Sequence, residues 1–271
     1  MPVTAAGIHY GDTGSSGGAG TVVFLHGVTL DRRMWEGQVE HLAGSHRCLV
    51  VDRRGHGLSA PLHEGWDPIA DLAGVLDDAS VERCHLVGMS LGGLDAVAAA
   101  TRIPERLRSL VLVDPWMPIE AMGGWSVPFA LAREQGAGVA RRAWLADPLF
   151  AAARELPAVA SRIEEIVNAN DLSVFTGPQP RGMGRAVVAA AARITIPTLV
   201  VAGDRDLPEF VEVARWLAAT VPGAQGHPLA VVPGAGHMLP MERPAELNAL
   251  LDRWLDADHG WGAQRSPAPG A

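Results

Sequence analysis

Residues 84–93 read CHLVGMSLGG, and the fold can be worked out from this stretch. Its first four residues form a short, mostly apolar run of strand type, and its middle has the form G-x-S-x-G around Ser90. The alanine-rich run at residues 94–101 predicts a helix. A strand that turns at once into a helix exposes the serine hydroxyl and leaves the next N–H free at the helix N-terminus. The stretch therefore predicts a nucleophilic serine at the carboxyl end of a strand.

Strand and helix signals alternate on both sides of this turn. Apolar runs predict further strands at residues 7–11, 21–25, 47–51, 109–113, 197–202 and 229–232. Helical periodicity and capping residues predict helices at residues 34–43, 67–80, 209–220 and 244–256. Because strands that alternate with helices are joined by crossovers, we expect an α/β fold with a mostly parallel, doubly wound sheet covered on both faces.

The alternation stops between residues 116 and 193, which we call the lid segment. No run of β-branched residues occurs there, and the alanine-rich sequence is interrupted by prolines and glycines. We predict a small helical lid inserted after the sixth strand of a core made of residues 1–115 and 194–259. Residues 260–271, which contain two prolines, are predicted to form a flexible tail.

Composition limits the classes of function. The 271 residues carry a formal net charge of -8, which argues against a nucleic-acid partner. No apolar run is long enough to span a membrane, and the N-terminus lacks the pattern of a secretory signal, so we expect a cytoplasmic protein without a membrane partner. Cys48 and Cys84 fall in predicted buried strands, which predicts reduced thiols and no metal site. Since the chain has no lysine, covalent catalysis must use another residue type.

A nucleophilic serine needs a base, and the base needs an acid that orients it. The strand at 197–202 is followed by Asp204 and Asp206, and the strand at 229–232 is followed by His237. The chain order serine, acid, histidine is the one used on sheets with a serine at a strand-to-helix turn. Ser90, Asp206 and His237 therefore form a chemically complete set.

These ordered motifs resemble the α/β-hydrolase superfamily, in the branch with a lid between the sixth and seventh strands. The resemblance covers the chain from about Thr21 to Asp256, apart from the lid segment. Its matching residues are His26-Gly27, Asp52 to Gly57 (DRRGHG), Gly88 to Gly93, Gly203 to Asp206, and Gly236-His237 with Glu242, Pro244 and Asn248 downstream.

The resemblance also assigns roles to residues. It implies that the catalytic acid is the fourth residue of G-x-x-D, which is Asp206 rather than Asp204, and that Asp114 at the end of a strand is a reserve position for this acid. It further implies an oxyanion hole made by the backbone N–H groups of Val28 and Leu91.

Other side chains have two possible interpretations. We expect the large apolar residues in and beside the lid segment either to line an acyl pocket or to pack the lid against the core; the substrate-binding candidates are Trp116, Met117, Trp125, Phe129 and Trp144. The loop at residues 52–57 and His26 are interpreted as structural, with Asp52, Arg53 and Arg54 in ion pairs.

A serine at the turn, where an aspartate would favour epoxide or haloalkane chemistry, implies acyl transfer. The resemblance predicts a cofactor-free serine hydrolase that cleaves a small, mostly apolar ester or lactone through an acyl-enzyme on Ser90, with enol-lactonase-like activity as the most specific hypothesis. The alternatives are a cofactor-free perhydrolase, a C–C bond hydrolase using the same residues, and a receptor-like protein that binds a lactone and hydrolyses it slowly. Only a small-molecule partner is expected, in a monomer or homodimer.

Overall fold

The structure is a computed structural model that describes residues 1–14, 19–119 and 126–256. Seven strands in these residues form one sheet of order β1-β3-β2-β4-β5-β6-β7, in which β1 runs antiparallel to β3 and the other pairs are parallel. They are β1 (Tyr10–Asp12), β2 (Thr21–Leu25), β3 (Arg47–Val51), β4 (Cys84–Met89), β5 (Leu107–Val113), β6 (Thr198–Gly203) and β7 (Ala230–Val232). The mostly parallel α/β sheet predicted from the sequence is confirmed.

Helices connect the parallel strands. Before β5 the chain forms α1 (Glu36–Leu42), α2 (Pro68–Asp78) and α3 (Leu91–Arg102). Between β5 and β6 it forms α4 (Ser126–Gln135), α5 (Ala137–Leu145), α6 (Ala151–Arg154), α7 (Pro157–Ala169) and α8 (Arg185–Ala190). The remaining helices are α9 (Pro208–Thr220), α10 (Leu239–Glu242) and α11 (Pro244–Leu255).

Two helix starts illustrate how local sequence sets these boundaries. Helix α2 begins at Pro68, and the carboxylate of Asp67 accepts a hydrogen bond of 2.9 Å from the N–H of Ile69. This is the expected arrangement of an N-cap acid followed by proline. Helix α3 begins at Leu91, three residues before the predicted alanine-rich run, because the chain turns into the helix directly after Ser90.

The strand count before the lid segment differs from the prediction. The helices α4–α8 follow β5, which is the fifth strand of the sheet and not the sixth. Val3 and His9 form only an isolated bridge, so five strands precede the lid segment within the described residues. The predicted tail at residues 260–271 lies outside the described residues.

The core consists of two apolar clusters, one on each face of the sheet. Successive side chains of a strand point to opposite faces, and β2 shows this directly: Val23 and Leu25 belong to one cluster, whereas Val22 and Phe24 belong to the other. Helices α2, α3 and α9 contribute to the first cluster, and α1, α5, α7 and α11 contribute to the second. Together the two layers make the sheet the buried centre of the molecule.

Specific polar contacts tie the lid segment to the core. The indole N–H of Trp144 donates to the hydroxyl of Thr29 at 2.7 Å. From the other side, the indole N–H of Trp66 donates to the carbonyl of Pro178 at 2.9 Å. These bonds fix the helices over the carboxyl ends of the strands. Within the part of the chain that the structure describes, no helix combines the length and apolar character needed to cross a membrane.

Trp35 tests the packing of the second cluster. It is fully buried, and its ring centroid lies 5.0 Å from that of Phe24. We expect Trp35→Ala to lower the free energy of unfolding by about 3–5 kcal/mol, because it removes a large side chain from a packed site and leaves a cavity. Urea denaturation at 25 °C measures this, with Leu58→Ala as the control, since Leu58 is 57% exposed and its removal should change the value by less than about 0.5 kcal/mol. Equal effects of the two substitutions would contradict the packing described.

Candidate active site

Ser90 occupies the turn between β4 and α3 in a conformation that side-chain-bearing residues rarely adopt. Its φ is 52° and its ψ is -117°. Its N–H donates to the carbonyl of Val113 at 3.1 Å, and its own carbonyl accepts from the N–H of Trp116 at 3.0 Å. Such a backbone conformation costs about 1–3 kcal/mol and persists only where the surroundings enforce it. Neighbouring β5 and the chain that follows it therefore hold the serine in its strained position.

Glycines on both sides of Ser90 allow this close packing. A Cβ on Gly92 would overlap the carbonyl oxygen of Leu25 at the end of β2, and a Cβ on Gly88 would overlap the carbonyl oxygen of Gly92. Thus the spacing G-x-S-x-G reflects two backbone approaches that only glycine permits. The same approaches place the end of β2 beside the first turn of α3.

His237 follows β7 and meets its acid across the sheet edge. Its Nδ1 lies 2.8 Å from Oδ2 of Asp206, and its ring packs against Phe210 with centroids 4.1 Å apart. Because a carboxylate only accepts hydrogen bonds, Nδ1 carries the proton, and Nε2 of the neutral ring is an acceptor. This is the tautomer that a general base requires.

Of the three acids considered from the sequence, Asp206 contacts the histidine. Its other oxygen, Oδ1, accepts from the N–H of Leu207 at 2.7 Å. Asp204 is exposed and accepts instead from the N–H of Gly234 at 2.7 Å, which stabilises the turn before the histidine loop. The assignment that the resemblance implied, Asp206 rather than Asp204, agrees with this geometry.

Asp114, the reserve position for the acid, makes no hydrogen bond to His237. It directly follows β5, is fully buried and has a φ of 40°. Its Oδ1 accepts from the N–H of Gly203 at 2.9 Å, and its Oδ2 has no hydrogen-bond partner among the described residues. Burial, together with the nearby negative charge of Asp206, raises the pKa of Asp114 well above its ordinary value. The surroundings of Asp114 therefore favour its protonated form.

Glu242 holds the histidine loop in place. Its carboxylate accepts from the N–H of Gly236 at 2.5 Å and from the N–H of Met238 at 3.2 Å, and these two residues flank His237. Burial raises the pKa of Glu242, and the two N–H groups oppose the rise. Sequence reasoning missed this role; the only signal was the position of Glu242 in the family-like pattern downstream of the histidine.

The serine and the histidine do not share a hydrogen bond. Ser90 Oγ and His237 Nε2 are both buried, and neither has a partner among the described residues. The structure thus brings acid and base together and leaves base and nucleophile unpaired. In proteins without substrate such bonds are often long and tighten when substrate binds.

A cavity of about 130 Å³ is lined by Leu91, the residue that follows Ser90, whereas Ser90 and His237 are not among its lining residues. Val28 and Leu91, the two predicted oxyanion-hole residues, both line it. Since Leu91 is the first residue of α3, its N–H has no acceptor within the helix. Trp116 and Phe129, both predicted to bind substrate, line the same cavity. The remaining lining is mostly apolar and comes from the loops of the core and from residues 174–183 of the lid segment.

The comparisons with known proteins agree with this architecture. The sequence profile described as the Alpha/beta hydrolase family matches residues 22–250, which is most of the chain. The chain belongs to the alpha/beta hydrolase family. It is accordingly an enzyme, a hydrolase, and the resemblance drawn from its motifs is confirmed.

Individual relatives of this hydrolase carry different names. It is 31% identical over 257 residues to the dihydrolipoyllysine-residue acetyltransferase component of the acetoin cleaving system of Cupriavidus necator, covering 88% of this chain but only 64% of that protein. It is 32% identical over 271 residues to a 2-hydroxy-6-oxononadienedioate/2-hydroxy-6-oxononatrienedioate hydrolase of Cupriavidus pinatubonensis, covering 92% and 90% of the two chains. Among solved structures it is similar to a thermophilic esterase from Thermogutta terrifontis, with a TM-score of 0.76, 28% identity, and coverage of 93% and 96%.

The remaining predicted substrate-binding residues of the hydrolase do not line the cavity. Met117 is fully buried in the first core cluster. Trp144 is held in the second cluster, where its ring packs edge-on against Phe150 and Phe175. The structure thus places both side chains in the core clusters and outside the cavity lining, which matches the packing interpretation of their spacing. Trp125 lies outside the described residues.

Polar side chains at one wall of the cavity were not predicted to belong to the site. Arg53, His56 and Asp95 all line it, and Nε of Arg53 donates to Oδ2 of Asp95 at 2.6 Å. The backbone N–H of Arg53 donates to Nε2 of His26 at 2.9 Å, which confirms that His26 has a structural role. Nothing in the sequence places Asp95 opposite Arg53, because the two residues meet only when α3 packs against the loop after β3.

The described residues hold no group of three or more histidine, cysteine or acidic side chains that could bind a metal ion. Cys48 and Cys84 are both buried with free thiols. Burial raises the pKa of each thiol to about 12, so neither is a thiolate nucleophile at neutral pH.

The substitution Asp206→Asn tests whether Asp206 is the acid that orients His237. The amide cannot stabilise the imidazolium and favours the wrong tautomer of His237, so we expect kcat for ester hydrolysis to fall about 10³- to 10⁴-fold. Asp204→Asn is the matched control, because Asp204 contacts only a turn, and its kcat should stay within about threefold of wild type. Initial rates with p-nitrophenyl acetate measure both. Equal, mild effects of the two changes would remove Asp206 from the site.

The substitution Asp114→Asn tests whether the pKa of Asp114 is raised in the folded protein. A carboxyl whose pKa is higher in the folded protein stabilises the fold fully below its unfolded pKa of about 3.9, and this contribution is lost as the pH rises through the folded pKa. Asparagine has no such proton to lose and tolerates a positive φ. We therefore expect the stability of the variant relative to wild type to increase steadily from pH 4 to pH 8, measured by urea denaturation.

Glu64→Gln, an exposed change, is the control and should show no such trend. A pH-independent difference between Asp114→Asn and wild type would mean that Asp114 is ionised in the folded protein.

Proposed function

We propose that this hydrolase cleaves a small carboxylic ester or lactone through an acyl-enzyme on Ser90. The observation that carries the proposal is the bond of 2.8 Å between Asp206 and Nδ1 of His237, which leaves Nε2 as an unpaired, buried acceptor, while Ser90 Oγ is likewise buried without a partner among the described residues. A buried histidine with one nitrogen fixed by a carboxylate and the other unsatisfied is suited to remove a proton from a nearby hydroxyl.

The reaction follows from these positions. Ser90 Oγ attacks the carbonyl carbon of the ester, its proton passes to Nε2 of His237, and the carbonyl oxygen becomes an oxyanion. The N–H groups of Val28 and Leu91 donate to this oxyanion, and each such donor contributes about 3–4 kcal/mol to transition-state stabilisation. The bond to the alcohol oxygen then breaks, and His237 returns the proton to the departing alcohol.

Water then hydrolyses the acyl-enzyme. It loses a proton to Nε2 of His237 while its oxygen attacks the acyl carbon, and the bond to Ser90 Oγ breaks as the serine regains its proton. Asp206 accepts from Nδ1 and stabilises the imidazolium at both stages. In a lactone the alcohol remains attached to the acyl group, so the same steps open the ring.

The cavity favours a small acyl group. An apolar cavity of about 150 Å³ holds a molecule the size of benzene, and the cavity beside Ser90 measures about 130 Å³. Its apolar walls, which include Val28, Leu91, Trp116 and Phe129, suit a short hydrocarbon chain. The similarity to a thermophilic esterase supports an ester substrate. A cytoplasmic location and a monomeric or dimeric state stay predictions.

Ser90→Ala tests the nucleophile. We expect steady turnover of p-nitrophenyl acetate by the wild type, with a burst where deacylation is slow, and a loss of about 10⁴-fold or more in kcat for the variant, since no acyl-enzyme can form. Ser45→Ala, which changes a serine after α1 outside the cavity lining, should retain wild-type turnover. Full turnover by Ser90→Ala would refute the proposal. A wild-type burst that is not followed by steady turnover would favour a slow, receptor-like protein.

A further inference from the structure

One wall of the cavity contains polar atoms that the proposed reaction does not use. Arg53, His56 and Asp95 line the cavity together with Val28 and Leu91, and each of the three polar side chains is more than nine-tenths buried. Nη1 of Arg53, Nε2 of His56 and Oδ1 of Asp95 have no hydrogen-bond partner among the described residues. Nη1 is the one donor among these three atoms, and a buried donor without a partner costs about 1–3 kcal/mol, so the wall suits a ligand that presents an acceptor to Arg53.

The charges in this wall are balanced without a ligand. Arg53 and Asp95 form an ion pair through Nε and Oδ2 at 2.6 Å, which leaves Nη1 as a charged donor in a neutral pair. Burial raises the pKa of Asp95, the charge and hydrogen bond of Arg53 oppose the rise, and the negative charges of Asp71 and Asp67 add to it. The surroundings of Asp95 are therefore already unfavourable to negative charge. A substrate carboxylate would add a second anion there, whereas a neutral carbonyl oxygen would accept from Nη1 at no such cost.

His56 adds no positive charge. Its Nδ1 lies 3.0 Å from the carbonyl of Arg54, which only accepts, so Nδ1 carries the ring proton. Burial, followed by the charge of Arg53, lowers the pKa of His56 to about 4, which keeps the ring neutral in the range where a histidine base works. In this state Nε2 of His56 is an acceptor, and the positive charge in this cavity wall is carried by Arg53.

We propose that Arg53 is a specificity-determining residue whose guanidinium donates to a second, neutral carbonyl oxygen in the acyl part of the substrate. The preferred substrates would then be esters or lactones of keto or acylated acids, with the reacting carbonyl at Ser90 and the second carbonyl at the Arg53 wall. This inference rests on the proposed function, because the second carbonyl is defined relative to the acyl group on Ser90.

Three p-nitrophenyl esters of equal size test the inference on the wild type. The 4-oxopentanoate carries a ketone oxygen where the 4-methylpentanoate carries a methyl group, and the hydrogen succinate carries a carboxylate. We expect kcat/KM for the 4-oxopentanoate to exceed that for the 4-methylpentanoate about tenfold, after correction for the uncatalysed rates, because a hydrogen bond from a charged donor discriminates by at least that factor. The hydrogen succinate should be the poorest of the three.

Paired variants assign the preference to Arg53. Arg53→Met combined with Asp95→Leu removes both charges, because either change alone would leave a buried unpaired ion and could prevent folding. The tenfold ratio should fall to about one. The matched control is Arg54→Met with Asp71→Leu, which removes the neighbouring ion pair of 2.7 Å whose residues do not line the cavity, and which should keep the ratio.

Each outcome is decisive for one of the two proposals. A wild-type ratio near one, or a ratio that survives the Arg53 and Asp95 changes, would overturn the inference, and this wild-type measurement does not depend on any variant folding. Preference for the succinate would show an anionic substrate instead. The proposed function fails separately, when Ser90→Ala hydrolyses the 4-methylpentanoate at the wild-type rate.

Discussion

The backbone of Ser90 is the constraint on which the rest of the site depends. Its positive φ is maintained because Gly92 packs directly against the carbonyl of Leu25 and Gly88 packs against the carbonyl of Gly92. These contacts involve main-chain atoms, so they fix the end of β2 relative to the start of α3 without reliance on side-chain rotamers. As a consequence, Val28, which follows β2, and Leu91, which begins α3, line one cavity.

Burial of negative charge is the second problem that the structure solves. Asp114, Asp206 and Glu242 lie close to His237, and carboxylates in such surroundings are costly unless each is neutralised or hydrogen-bonded. The pKa of Asp114 is raised by burial and by the charge of Asp206, Asp206 accepts from the histidine, and Glu242 accepts from two backbone N–H groups. Oδ2 of Asp206 is the carboxylate oxygen that faces the imidazole.

Arg53, in the loop after β3, contacts both His26 and the cavity wall. The backbone N–H of Arg53 fixes His26, and its side chain reaches Asp95 on α3 and lines the cavity wall. Phe129 and Met183 of the lid segment line the cavity from the opposite part of the chain. The cavity is thus lined by two regions that are brought together over the carboxyl ends of the strands, where loops can vary without disturbing the sheet.

What the sequence determined by itself was local: the strand-turn-helix around Ser90, the buried strands, and the order of Asp206 and His237 after later strands. These follow from glycine spacing, apolar runs and capping residues, which are all recorded in contiguous positions. Which acid reaches the histidine, and that Asp114 is bonded to Gly203, depended on the tertiary structure, because the bonded groups lie 31 and 89 residues apart in the chain. The same holds for Trp144, whose helical spacing suits core and pocket equally; only the packing of the lid segment on the core placed it in the core.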